Sequence, residues 1–258
     1  PDVFWTEFVS ADGLAHPKAR EKLLIDFKFG KREHPIVAQI FGANPENIKK
    51  SAALVRELGF DGLDINMGCP DRTIEKQGAG AELMKNPKLA QEIIYAAKEG
   101  ACDLPVSVKT RVGYNKDETE TWIPALLETN IAALTVHART RKEKSQVPAR
   151  WERIARAVRL AKGTGTLIIG NGDVLDMKDA KEKVSASGAD GIMFGRAIFG
   201  NPWLFAKKKK EITTEEKLRV MVEHTELFEQ ELGAYKNFAI MKKHYKAYAH
   251  GFDGAKEL

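Results

Sequence analysis

Cysteine is scarce in this chain: Cys69 and Cys102 are the two it has in 258 residues. Two thiols cannot make the disulfide framework of a small secreted domain. A chain this long also buries a core that needs no such staple, so a reducing cytoplasm is the expected compartment. Long apolar runs are missing too. No stretch reaches the roughly 18 apolar residues of a membrane-spanning helix, so no membrane partner is expected. The opening PDVFWTEFVS lacks a basic segment followed by an apolar one, and no signal peptide is read there. Repeats and low-complexity tracts are absent, and no spacing of His, Cys or Asp matches a zinc or iron site. Charge of one sign hardly predominates. A net +5 permits a polyanionic partner without establishing one. Nothing asks for an obligate partner chain, and a monomer is expected.

What is present is alternation. Short β-rich runs recur at Val3–Val9, Ile36–Gly42, Gly62–Met67, Pro105–Gly113, Ala133–Arg139, Thr166–Asp173 and Gly191–Arg196. Segments of helical period separate most of them. PENIKKSAALVRELG puts Ile48, Ala52, Val55 and Leu58 on one face, and NPKLAQEIIYAAKEG does the same with Leu89, Ile93, Ala96 and Ala97. Pro45 and Pro87 mark helix starts. Strand alternating with helix means parallel βα units. Nearly every strand ends in polar residues or glycine, which favours a (β/α)8 TIM barrel over a doubly wound sheet, because all barrel strand ends converge on one mouth. Seven strands are countable, and the eighth is expected ahead of Pro1. After Phe199 the strand pattern stops, so the expected division is a barrel over residues 1–205 and a small helical domain over 206–258.

The strand ends hold the candidate site. Glycines close the last two strands, in GNGD and GRA, where backbone N–H groups approach an anion and Arg196 adds a clamp; this predicts a phosphate site. Ser107, Lys109 and Arg111 share one strand face, and a lysine buried there needs an electron-rich partner. Gln39, Lys109 and His137 at equivalent strand ends point to one shared ligand. Cys69 follows the third visible strand, held extended by Pro70. A redox role is disfavoured, since there is no CxxC and Cys102 lies at the other barrel end. Nucleophile and general acid both remain open for Cys69, while structural filler suits Cys102. From Lys236 to His250 there are four lysines and no acids.

INMGCP with the following GAGAELMKNP, then KTRVG, VHARTR, GNGD, GRAIFGNPWLF and the tail IMKKHYKAYAHGFDGAKEL, resemble the tRNA-dihydrouridine synthases over essentially the whole chain. The resemblance implies an FMN enzyme that uses NADPH to reduce the C5–C6 double bond of a uridine in tRNA. It implies Cys69 as the acid that protonates C5, with Asn66 near the base. Gln39, Lys109 and His137 then hold the isoalloxazine, and Asn171, Gly172 and Asp173 grip the ribityl phosphate with Gly195 and Arg196. Arg111 and Arg139 face RNA or phosphate, and Lys242, Lys243 and Lys246 form a track for tRNA phosphates. The family opens with a strand ending in a Pro-Met-Ala-Gly-like segment, which has no counterpart here. The alternatives are a dihydroorotate-dehydrogenase-like FMN barrel acting on a free pyrimidine, and a tRNA-binding barrel without flavin.

Overall fold

The computed structural model describes residues 1–206, 211–252 and 255. Two compact units divide the chain: residues 1–174 with 178–193, and residues 175–177 with 194–258.

The first unit is built on one parallel sheet. Strands β1 (Phe4–Trp5) and β2 (Val9–Ser10) both pair with β3 (Ile36–Phe41). They are two pieces of the single strand predicted over Val3–Val9. The break has a cross-strand cause: the Gln39 N–H goes to the Thr6 hydroxyl at 3.0 Å instead of to a backbone carbonyl. Next come β4 (Gly62–Met67), β5 (Val106–Arg111), β6 (Ala133–His137), β7 (Leu167–Asn171) and β8 (Gly191–Met193), each parallel to the one before. The β1/β2 position and β8 are the two edges, so the sheet is an open, incomplete barrel of seven strand positions.

Helices α1 (Ala11–Ala15), α2 (Pro17–Leu23), α3 (Pro45–Glu57), α4 (Arg72–Glu75), α5 (Pro87–Ala101), α6 (Thr119–Leu127), α7 (Glu152–Ala161) and α8 (Met177–Ser187) fill the connections. The long ones start where the sequence says they should. Asn44 Oδ1 accepts the Glu46 and Asn47 N–H groups ahead of Pro45, and Asn86 Oδ1 accepts the Leu89 N–H ahead of Pro87. Ile48, Ala52 and Val55 of α3 and Ala90, Ile93, Ile94 and Ala97 of α5 are buried.

Alternation along the strands separates two faces. One carries the aligned row Ile40, Ile65, Val108, Leu134 and Ile168, all in the main core. Each such side chain contributes about 1.5–3 kcal/mol by leaving water. The other face carries polar rows in the same register: Gln39, Asp64 and Ser107, then Asn66, Lys109 and Thr135, then Arg111, His137 and Asn171. A sheet can afford polar residues on a buried face only where they satisfy one another or meet a ligand. This second face is the candidate functional one.

The second unit holds α9 (Thr214–Leu232), capped by the Thr213 hydroxyl, and α10 (Lys242–Tyr248). Of the predicted stripe, Met241 and Tyr248 are buried and the Tyr245 hydroxyl lies 3.0 Å from Thr225 Oγ1. Phe238 packs edge-on to buried Phe228 yet stays 48% exposed, and Val222 is 51% exposed, so the predicted apolar faces are only partly covered. Besides residues 175–177, this unit takes in the stretch from Phe194 onward, where Phe199 meets the His244 ring at 5.3 Å and lies under Lys243 Nζ at 5.4 Å. Residues 207–210 of the expected helical domain, and 253, 254 and 256–258 of its tail motif, lie outside the described residues. Among the described residues no helix is long and apolar enough to cross a membrane.

Candidate active site

Cys69 sits just past the carboxyl end of β4, half-buried, with its backbone tied down on both sides. Its N–H donates to Asn66 Oδ1 at 2.9 Å, beside the Gly68 N–H at 3.1 Å, and its carbonyl accepts the Ala81 N–H at 2.9 Å. Gly80 is essential to that second tie. At φ +63° a Cβ there would lie 2.8 Å from the Cys69 carbonyl oxygen, so the glycine allows a close approach. Burial pushes the Cys69 thiol above its ordinary value, outweighing the Asp71 N–H and the Arg111 charge that favour the thiolate. It is therefore protonated at neutral pH.

The residues beneath it form one chain of amides. Asn66 Nδ2 donates to Gln39 Oε1 at 2.9 Å, and Gln39 Nε2 donates to Asp64 Oδ2 at 2.6 Å. Ser107 Oγ donates to Asp64 Oδ1, also at 2.6 Å. Asp64 is fully buried, and burial raises its carboxyl to about 6 against the pull of those two donors. Asp64 was missed in the sequence. The signal was present, because in LDIN a period of two puts Asp64 and Asn66 on one face.

Lys109 lies next to Asn66 in the register and donates to Asn171 Oδ1 at 3.3 Å. Burial first, and then the Arg111 charge, draw its ammonium down to about 8. Among the described residues no carboxylate stands within ion-pair distance of its Nζ. Lys109, Arg111 and Cys69 are near enough to influence one another's charge, so the structure brings these three together. Asn171 also donates to Met193 O at 2.8 Å, which fixes its amide between β5 and β8. At Gly172, with φ +118°, a Cβ would come within 3.0 Å of His137 Cδ2 and of Ala149 Cβ.

Three predicted ligand contacts are used by the protein itself. Arg111 is 8% exposed and donates to Gly68 O at 2.8 Å and to Thr140 O and Lys144 O at 3.2 and 3.0 Å. Arg139 is 2% exposed; it donates to Val147 O at 2.6 Å and to His137 Nε2 at 3.1 Å, and it pairs with Asp173. That bond makes His137 Nε2 an acceptor. The Asp173 carboxylate also takes the Ala149 N–H at 2.9 Å. Arg111 and Arg139 thus brace loops, and Asp173 is turned to Arg139. Partners donated by distant loops override what charge alone suggests.

Gly195 and Arg196 belong to the second unit. Gly195 precedes a single 3-10 turn, Arg196–Ile198, and a Cβ on it would meet nothing within 4 Å. Lys242, Lys243 and Lys246 are exposed on α10.

The residues present fit a flavin. Lys109 offers an amine without an ion-pair partner among the described residues, Gln39 keeps one amide N–H beyond the one given to Asp64, and Gly172 keeps the backbone beside His137 open. These donors suit the acceptor-rich edge of an isoalloxazine. Among the described residues no cluster of His, Cys, Asp and Glu could hold a metal ion.

Fold and site together define an enzyme of the β/α-barrel class, with a protonated thiol above a buried amine and oriented amides. A family model described as dihydrouridine synthase (Dus) matches residues 2–258, and the chain belongs to that family. It is a flavin-dependent oxidoreductase. Over 262 residues it is 40% identical to a probable tRNA-dihydrouridine synthase of Staphylococcus aureus (strain Mu50), covering 100% of this chain and 79% of the relative. It is 42% identical over 265 residues to probable tRNA-dihydrouridine synthase 2 of Bacillus subtilis (strain 168), covering 100% and 80%. A variant of NCR from Zymomonas mobilis shares the fold, with a TM-score of 0.54 at 17% identity over 83% of this chain and 79% of that one. The family match leaves the free-pyrimidine alternative with less support.

Proposed function

We propose that this enzyme reduces the C5–C6 double bond of a uridine in tRNA, with NADPH as reductant, FMN as cofactor and Cys69 as general acid. One observation carries the assignment of Cys69: its thiol is half-buried, held by both backbone neighbours, and pushed toward the protonated form by burial. A nucleophile needs the opposite shift. The chemistry supplied by the bound flavin is delivery of a hydride to C6 of the base. Gln39, Lys109 and His137 would hold its ring system, and Asn171 and Gly172 its phosphate arm.

The base must leave its stack to be reduced, and Asn66 orients it. As C5 becomes basic, the Cys69 S–H bond breaks and the proton passes to C5. The thiolate left behind recovers its proton from solvent. Lys109 offsets that transient negative charge. The helical unit carries the RNA, with Lys242, Lys243 and Lys246 toward phosphates. Two unpaired cysteines suit a reducing cytoplasm.

The test separates the half-reactions of Cys69→Ala. Reduction of the flavin by NADPH should survive, while dihydrouridine formation on unmodified tRNA should fall by about 100-fold or more. Unimpaired turnover would remove Cys69 as the acid.

A further inference from the structure

The hydrogen bonds under Cys69 run in one direction, and the direction is dictated from both ends. At the top, the Gly68 and Cys69 N–H groups can only donate, so the atom of Asn66 facing them must be its oxygen. The Asn66 nitrogen therefore faces Gln39 and requires an acceptor, which fixes Gln39 Oε1 toward it. The Gln39 nitrogen is left facing Asp64 and requires an acceptor in turn. A carboxylate is the group that can only accept, and Ser107 fills its other oxygen. Each amide has two orientations in principle; the two N–H groups select that of Asn66, and Asp64 supplies the acceptor that lets Gln39 match it.

We propose that Asp64 is the positioning residue for Cys69, acting through Gln39 and Asn66 to hold the Cys69 backbone in place. The proposal rests on the reading of Cys69 as the acid, and it adds what orients that acid. Asp64 touches neither the thiol nor the base. Its buried carboxylate is costly, and burial alone moves it well above the usual carboxylate range. What the cost secures is a fixed polarity along the chain of amides. With an apolar side chain at position 64, the Gln39 nitrogen would face no acceptor. Gln39 would then leave its place, Asn66 Nδ2 would lose its acceptor, and the amide that receives the Cys69 N–H would be held at one end only.

The experiment compares two variants that are both uncharged at position 64. Asp64→Asn keeps an acceptor for Gln39, because the Ser107 hydroxyl can rotate to accept from the new amide nitrogen. Asp64→Leu keeps the branched shape and supplies no acceptor. The readout is the rate of Cys69 alkylation by iodoacetamide divided by that of exposed Cys102 in the same molecule, by mass spectrometry. Amide-exchange protection of Gly68 and Cys69 is measured alongside. Asp64→Leu should raise the ratio on the order of fivefold and lose the protection, while Asp64→Asn should stay within about twofold of wild type. Equal ratios and equal protection in the two variants would overturn the proposal. Should Asp64→Leu not fold, Gln39→Glu sets two carboxylates against each other and should raise the ratio. Adding Asp64→Asn to it restores a donor–acceptor pair and should lower the ratio again; no recovery would overturn the proposal. Alkylation reports where the thiol is held, whereas turnover of Cys69→Ala reports what the thiol does, so each reading can fail alone.

Discussion

The chain's two cysteines occupy opposite ends of the parallel strands, and each has an arginine for company. Cys102 ends α5 ahead of β5, exposed, with Arg56 Nη1 2.6 Å from its sulfur. Cys69 follows β4, half-buried, and its arginine avoids the sulfur to seize the preceding carbonyl, Gly68 O. The sequence reading of Cys102 as filler does not hold, because filler is buried. The contrast shows that a proton donor is made by holding the backbone around a thiol and withdrawing the thiol from water.

Replacing the two arginines should break the comparison most sharply. Arg111→Ala takes donors from Gly68 O, Thr140 O and Lys144 O together and should cost about 3 kcal/mol of stability, after relief of the buried charge is deducted. Its charge is itself drawn down to about 10, chiefly by burial, so the gain from removing it is real but smaller than the loss. Arg56→Ala, at an exposed side chain, should change stability by no more than about 0.5 kcal/mol. Urea denaturation of both variants checks the pair. Equal losses would mean that Arg111 braces nothing.

Much of the first unit was legible because its signals are local. Asn ahead of Pro sets the starts of α3 and α5, and period-two alternation marks β3 to β7. The site was legible in part. Gln39, Asn66, Lys109 and His137 lie on one face because register follows from strand order. The partners of Arg111, Arg139 and Asp173 were not legible, for the opposite reason. Sequence displays their charges, whereas their partners are loop carbonyls, a backbone N–H and each other, brought in by folding. The strand break at Thr6 depends on a hydroxyl meeting the N–H of Gln39 across the sheet, which no local pattern announces.

Asp64 offers a smaller effect, read through pH. The unfolded chain titrates this carboxyl near 3.8 and the folded one near 6, so folding takes up a proton between those values. Stability from this group is full below the lower value and is lost as pH rises through the upper one. Asp64→Asn removes the titration. Its stability relative to wild type should therefore rise by up to about 3 kcal/mol between about pH 3 and pH 7, by urea denaturation at each pH. Cys102→Ser, in the exposed loop, should keep the wild-type pH dependence. A flat difference for Asp64→Asn would mean that the carboxyl is not held in a dry site.

The smallest effect isolates the close approach behind Cys69. Gly80 and Gly59 both adopt left-handed backbone, at φ +63° and +81°. Alanine at either position incurs the conformational cost of about 1 kcal/mol. At Gly59 nothing lies within 4 Å of the added Cβ, so that cost should be all of it. At Gly80 the same atom meets the Cys69 carbonyl oxygen at 2.8 Å and Ile74 Cγ2 at 2.9 Å. The carbonyl cannot swing aside without giving up the Ala81 N–H. Gly80→Ala should thus cost about 2 kcal/mol, and the excess over Gly59→Ala measures the contact alone. It should also slow turnover on tRNA several-fold, because relief comes only by moving Cys69, whereas Gly59→Ala should turn over like wild type. If the two alanines cost the same and Gly80→Ala keeps full turnover, the carbonyl is free to move, and the thiol is held by the Asn66 side of its backbone alone.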